Sequence, residues 1–249
     1  MKKLELKSLN QFIKFPNKSK LSIICLISNI VFTIPELSMA QARFGVNAGA
    51  TFSKVILSNS NSDFQEYDFI PGFQIGLSVE IPFADNIFLQ PSVSYIRKGF
   101  KSPNAGYLGY QTDFRLKADY LELPILVLFK PNLGNGKFLF GAGPYIAYGT
   151  GGSWNSDIGV GVGDINIGNK GDVIFRNDGS EGGALDSYTY GRPFDYGLSG
   201  LLGYEISQQI SFQLEGKFGI ANLQPRYGEF TPQQKIRNIS IGLSVGYKF

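Results

Sequence analysis

Ionisable side chains in two settings are the residues of this sequence with the means to do chemistry. Glu80, Glu122, Glu205, Glu215 and Lys217 each lie between apolar neighbours. Carboxylates and ammonium groups in such surroundings hold ions, relay protons or neutralise one another. Asp157, Asp164, Asp172, Asp178, Glu181 and Asp186 fall together in 150–192, a stretch with eleven glycines. Oxygen donors at that density suit calcium, but the ordered ligand spacing of a known calcium loop is missing. Gly159-Val160-Gly161-Val162-Gly163 has neither the Lys-Ser/Thr nor the helix start of a phosphate loop and reads as flexible chain. The sequence contains no histidine, the usual general base of hydrolases and acyl-transfer enzymes. The expectation is a protein that is not an enzyme. Catalytic, cofactor-binding and metal-binding residues are all read as none, and no cofactor is expected.

The elements that must hold the first group of charges are strands. Ile239, Ile241, Leu243, Val245, Tyr247 and Phe249 alternate with Asn238, Ser240, Gly242, Ser244, Gly246 and Lys248 over twelve consecutive positions. That is the period of a strand with two different faces. Seven earlier segments alternate in the same way, starting at Phe44, Phe69, Ile87, Tyr120, Phe138, Phe194 and Ile210. Most run to about 10 residues or more, the length a tilted strand needs to cross a bilayer. Strands of soluble proteins average nearer to about 5–6 residues.

Short and long links alternate strictly. Pro82 to Asn86, Pro131 to Gly136 and Ser207 to Gln209 are short, whereas 54–68, 99–115, 150–192 and 223–236 are long. An up-and-down barrel of the outer membrane has this asymmetry, with short periplasmic turns and longer outer loops. Aromatic residues near the strand ends, among them Phe44, Phe52, Phe129, Phe138, Tyr204 and Tyr247, suit the two interfacial girdles. The fold class expected is all-β: an eight-stranded antiparallel up-and-down transmembrane barrel. Ile158, Val160, Val162, Ile165 and Ile167 suggest a hairpin within 150–192 that stands above the membrane. Counting it as two more spanning strands is the alternative, but Asp157, Asp164, Asn166 and Asn169 leave its apolar runs too short for lipid.

Alternation does not itself say which row faces lipid. The charges decide. A Lys on the lipid side near the midplane costs about 2–4 kcal/mol, and Glu somewhat less. The polar row therefore faces inward, and Glu215 and Lys217 with Glu122 are the expected charged network. An eight-stranded interior is just wide enough for side chains to fill, so a plugged lumen is expected.

The first forty residues differ from the rest. Lys2, Lys3, Lys7, Lys14, Lys18 and Lys20 precede an apolar run from Leu21 to Ile34, then Pro35 and Ser38-Met39-Ala40-Gln41-Ala42. This is the order of a secretory signal peptide, with cleavage after Ala40 or Ala42. Residues 1–40 are read as signal peptide and 41–249 as the barrel, with 150–192 its long external loop. Six of the 23 Lys and Arg and two of the 20 Asp and Glu lie in the leader, leaving 17 bases against 18 acids. No nucleic-acid partner is expected of a chain so balanced. The single cysteine, Cys25, lies in the leader, so disulfide and thiol chemistry are excluded from the remainder. Trp154 is the only tryptophan. Two readings stand for it: an exposed partner anchor or a membrane-surface anchor.

Asp119-Tyr120-Leu121-Glu122-Leu123-Pro124-Ile125-Leu126 resembles the Y-L-E-(L/I)-P signature of the PorT-like outer-membrane β-barrel family. Gly141-Ala142-Gly143-Pro144-Tyr145 looks like that family's next strand, and Phe44-Gly45-Val46-Asn47-Ala48-Gly49 is similar to its opening. The resemblance implies an eight-stranded barrel in the bacterial outer membrane and no single activity. Some relatives take part in protein secretion. The link 150–192 has no counterpart in the family pattern. Phe249, with Tyr247 two residues before it, looks like the final-strand signal read by the outer-membrane assembly machinery.

The function expected is structural or surface interaction. Outer-membrane lipid and lipopolysaccharide are its partners, and further surface partners meet the loops. The alternatives are a component of a secretion or transport apparatus, or a narrow channel.

Overall fold

The computed structural model describes residues 42–58, 67–103, 113–162, 165–180 and 187–249. The expected signal peptide, 1–40 with cleavage after Ala40 or Ala42, lies outside them, as do Asp164, Glu181 and Asp186 of the candidate calcium stretch.

Eight long strands form a closed ring: β1 (Arg43–Ser58), β2 (Ile70–Ala84), β3 (Ile87–Ser102), β4 (Phe114–Phe129), β6 (Gly136–Val162), β9 (Phe194–Ile206), β10 (Ile210–Gly219) and β11 (Lys235–Lys248). Each pairs antiparallel with the next, and β11 returns to β1. Closure leaves the ring no edge, which hydrocarbon demands because each unpaired backbone group there costs several kcal/mol.

The tight links gather at one end. Asp85-Asn86 joins β2 to β3, with Asn86 at φ 59°, a left-handed conformation that asparagine tolerates. A two-residue strand β5 (Asn132–Leu133) pairs with the start of β6 and tightens the next link. Phe249 lies at this end too, where its N–H donates to the Phe44 carbonyl. It is the periplasmic end, and the long connections face outside.

The lipid-facing row is apolar on every strand of the ring. Leu121, Leu123, Ile125, Val127 and Phe129 of β4 are exposed, and Tyr120, Glu122, Pro124, Leu126 and Leu128 between them are buried. The expected inward placement of Glu80, Glu122, Glu205 and Lys217 holds. All four are buried, and Glu215 is largely covered. Where two strands press together, only glycine fits the inner row. A Cβ on Gly143 would lie 1.9 Å from the Ile125 carbonyl oxygen.

The apolar row changes sides near the outer end. On β4, Phe114, Leu116, Ala118 and Tyr120 are buried inside, while Arg115, Lys117 and Asp119 point out. On β3 the switch falls between Tyr95 and Arg97, and on β1 between Phe52 and Lys54. A strand that leaves lipid for water must bury its apolar side chains inward, so these switches mark the outer membrane surface.

The strands continue past that surface, which the sequence reading missed. β1 reaches Ser58, β3 reaches Ser102 and β4 begins at Phe114, so the links near 54–68 and 99–115 are shorter than expected, whereas the last, 220–234, is not. Within 150–192, β6 runs to Val162 and pairs with β7 (Ile165–Phe175), forming the expected hairpin. β8 (Tyr188–Gly191) pairs parallel with β7.

The outer half of the ring encloses an aromatic core of Phe100, Phe114, Leu116, Tyr120, Trp154, Val173, Tyr190 and Leu223. Trp154 is 1% exposed, with its ring stacked 5.7 Å from Phe114. Neither reading of Trp154 as a surface or membrane anchor survives, because its position on the inner row of β6 turns it into this core. As the sole tryptophan it reports on the core directly. Its fluorescence is expected to be blue-shifted and to resist acrylamide quenching until the barrel unfolds.

Candidate functional site: charged clusters of the barrel interior

Two ionic clusters lie inside the ring, one above the other. The periplasmic one forms where Glu80 of β2, Glu205 of β9, Lys248 of β11 and Arg43 of β1 converge on Lys130, just beyond β4. The Lys130 amide donates to the Asn86 carbonyl at 2.7 Å, which fixes the residue where the chain leaves β4. Its ammonium donates to both oxygens of Glu80 at 2.9 Å and to those of Glu205 at 3.0 and 2.8 Å. Lys248 donates to Glu205 at 2.6 Å and also to Glu80. Arg43 adds an ion pair to Glu80 at 3.2 Å.

The outer cluster contains the network expected from sequence and enlarges it. Lys217 of β10 lies 2.6 Å from Glu122 of β4 and 3.2 Å from Glu215 on its own strand. Lys98 of β3 lies 2.8 Å from Glu122 Oε2, as an ion pair without hydrogen-bond geometry, and 3.3 Å from Asp195 of β9. The Asn238 amide donates to Asp195 at 3.0 Å, and the Tyr145 hydroxyl approaches it at 3.4 Å. Lys98 also sits over the Tyr145 ring, 4.7 Å from its centroid. Buried Leu126, Leu128, Leu139 and Leu201, on β4, β6 and β9 between the two clusters, pack together.

The two clusters balance only together. Arg43, Lys130 and Lys248 face Glu80 and Glu205 in the periplasmic one, and Lys98 and Lys217 face Glu122, Glu215 and Asp195 in the outer one, so the interior as a whole has five cations and five acids. Buried charges are tolerated when they are paired and hydrogen-bonded in this way.

Sequence reasoning found Glu122, Glu215 and Lys217 as a group and missed Lys98, Lys130, Lys248 and Arg43 as partners. The parity was available: Phe129 faces out, so Lys130 after it faces in, and Lys248 stands in the polar row of the clearest alternation.

The described acids of 150–192, Asp157, Asp172 and Asp178, do not converge. Among the described residues no three of His, Cys, Asp and Glu come together as a metal site. Asp178 serves a different purpose. It accepts from the Ser180 hydroxyl at 2.6 Å, the Ser180 amide at 3.0 Å, the Gly228 amide at 3.1 Å and Arg226 Nε at 3.0 Å. It thereby clasps two outer connections. The Ser180 hydroxyl, then the Gly228 and Ser180 amides, then the Arg226 charge hold its carboxyl well below the usual carboxylate range, against a small opposing effect of burial. With the folded pKa lower than the unfolded one, the clasp contributes fully above the ordinary Asp value of about 3.9. It is lost as pH falls from there through the lowered value. The protection factor of the Gly228 amide in hydrogen exchange is expected to be flat above about pH 4 and to drop in stronger acid. Asp178→Asn should abolish the pH dependence.

The outer membrane protein beta-barrel domain family matches residues 38–224. A comparison with curated proteins finds no match. Among solved structures, the chain is similar to the attachment invasion locus protein Ail of Yersinia pestis, in complex with the heparin analogue sucrose octasulfate. The identity is 12%, over 84% of this chain and 99% of that one, with a TM-score of 0.39. Neisserial surface protein A is similar at 16% identity over 83% and 97%, with a TM-score of 0.40. The outer membrane protein OprG of Pseudomonas aeruginosa is similar at 13% identity over 84% and 96%, with a TM-score of 0.43. At these levels the likenesses bear on neither ligand nor activity. The chain belongs to the outer membrane protein beta-barrel domain family, and its barrel lies in the bacterial outer membrane.

Proposed function

We propose that this barrel is a structural and surface-interaction protein of the outer membrane, with a plugged lumen and no catalytic activity. One observation carries the reading: the Lys130 ammonium binds carboxylates on β2 and β9 at once, tying distant walls of the interior together. The outer ionic cluster and the aromatic core above it support the same conclusion. Carboxylates engaged by ammonium groups are poor general bases, because protonation would strand the cation in a low-dielectric interior.

The narrower PorT-like assignment is part of this proposal. In Tyr120-Leu121-Glu122-Leu123-Pro124, the alternate residues Tyr120, Glu122 and Pro124 are buried, and Glu122 is the acid that two lysines share. That gives the signature a physical purpose. Residues 1–40 act in this reading as a signal peptide removed on export. Phe249 marks the strand that the assembly machinery reads. The β6–β7 hairpin and the outer connections meet molecules at the cell surface.

Planar-bilayer recording tests the proposal. The folded protein is expected to give no steady conductance, and deleting 157–170 is expected to abolish surface binding while leaving heat-modifiable gel migration intact. A steady single-channel conductance would assign a narrow channel instead. Blocked protein export on deletion of the gene would assign a part in a secretion apparatus.

A further inference from the structure

The outward side chains at the membrane-surface switch are not evenly charged. On β1 the first outward residue beyond the apolar band is Lys54. On β11 it is Arg237, followed by exposed Lys235. Lys54 pairs in register with Ile239 and Ile56 with Arg237, so Lys54 and Arg237 are diagonal neighbours across the β1–β11 seam, about 7–8 Å apart at the backbone. Lys54 is held over the Phe69 ring, 5.0 Å from its centroid, with its charge at the level of the outer aromatic girdle.

At the same level on β3 and β4, acids pair with three of the four outward cations, Arg97, Lys101 and Arg115, and Lys117 has none among the described residues. Arg97 binds Asp119 at 2.6 and 2.9 Å, and Lys101 binds Asp113 at 2.6 Å. Among the described residues no acid pairs with Lys54, Arg237 or Lys235. Arg237 Nε is shielded and has no hydrogen-bond acceptor among the described residues. A shielded guanidinium N–H without an acceptor is rare enough to ask what supplies one. Below the patch, Phe52, Ile239 and Ile241 continue the lipid-facing row. On the opposite wall the outward positions of β9 and β10 carry no cation, although Arg192 stands two residues before β9 and its Nε is likewise shielded and without an acceptor among the described residues.

We propose that Lys54, Arg237 and Lys235 form a binding site for the phosphate groups of a phosphorylated glycolipid of the outer leaflet, whose acyl chains lie along the apolar row beneath. The site combines unpaired cations at headgroup depth with a hydrocarbon surface immediately below. Two cations at this separation suit two phosphates on one sugar headgroup. The site gives the lipid and lipopolysaccharide partner expected from the sequence a specific contact and rests on the proposed reading of the barrel as an outer-membrane protein whose long connections face outward.

The test uses the full-length mature barrel in phosphatidylcholine nanodiscs, titrated with bis-phosphorylated lipid A and read by native mass spectrometry. Each basic residue at a charged membrane surface is expected to contribute about fivefold. Lys54→Gln with Arg237→Gln is therefore expected to weaken binding about twenty-five-fold. Lys137→Gln, at the periplasmic end of β6, should change nothing. Heat-modifiable migration verifies that the double variant is folded. If it is not, Lys235→Gln alone provides the test, with about a fivefold loss expected. Lipid A stripped of its phosphates should bind at least about tenfold more weakly than the intact lipid. Equal binding by the variants would overturn the site. So would equal binding of the dephosphorylated lipid or of cardiolipin, or displacement by free pyrophosphate as effective as by lipid A. The orientation on which it rests is read separately. An impermeant maleimide should label Asn169→Cys on intact cells, and failure to label would sink the orientation irrespective of the lipid result.

Discussion

Lys130→Met is expected to lower the stability of the folded barrel by about 3–5 kcal/mol, the cost of removing one partner from a buried ion cluster. The side chain is 0% exposed and makes four hydrogen bonds to Glu80 and Glu205. Methionine preserves much of its volume and apolar stem, so the loss reports charge more than packing. Arg43 remains beside Glu80 and Lys248 still bridges both carboxylates, so the loss is expected toward the lower end of that range. The measurement is the urea midpoint of reversible unfolding in lipid vesicles, followed by tryptophan emission and gel migration. Adding Glu205→Gln to Lys130→Met is expected to recover part of the loss, since Glu205 is left with Lys248 as its one cationic partner, shared with Glu80. A packing defect would show no such recovery. An unchanged midpoint for Lys130→Met would mean that the periplasmic cluster is hydrated and carries little of the stability.

Leu243→Arg is expected to cost about 2–4 kcal/mol in the same assay, the depth-dependent cost of a cation on the lipid face near the midplane. Leu243 is 57% exposed and lies between Ala50 and Leu214 on the neighbouring strands, so nothing inside the barrel depends on it. On a water-soluble protein, a substitution at so exposed a position would usually fall within about 0.5 kcal/mol. The two cases thus differ by several-fold in free energy. Spin labels give an independent reading: at Leu243 and Val245 they should be accessible to oxygen dissolved in lipid, and at Ser244 they should be shielded from both lipid and bulk water.

Most of the ring was legible because hydrocarbon imposes a strict rule on one face of each strand. Where the outward row must be apolar and the inward row is polar or small, alternation is nearly perfect, as in 238–249. The rule fails beyond the lipid. On β3, Arg97-Lys98-Gly99-Phe100-Lys101 belongs to the strand, but its inward row holds both a buried lysine and a buried phenylalanine. No single period of polarity survives there, and the segment looks like a loop. Trp154 was misread for the same reason: its neighbours Ser153 and Asn155 are polar because they face water, and that disguised an inner position.

The ionic clusters were half legible. Parity told which charges point in, but not their height along the axis, which depends on strand stagger. Lys98 and Lys217 meet at Glu122 although they come from β3 and β10, on either side of the β1–β11 seam. Register between strands distant in sequence is set by the closed ring as a whole, and no local pattern records it.

The periplasmic cluster also bears on how the chain finishes its insertion. Two of its three cations, Arg43 and Lys248, come from the first and last strands, and the two acids from strands between them. Lys248 donates to both acids, so each gains its last cationic partner only when β11 meets β1. A barrel still open at that seam holds Glu80 and Glu205 with one fewer ammonium group. Closure of the ring and completion of the cluster are thus one event, and Lys248 is the latch.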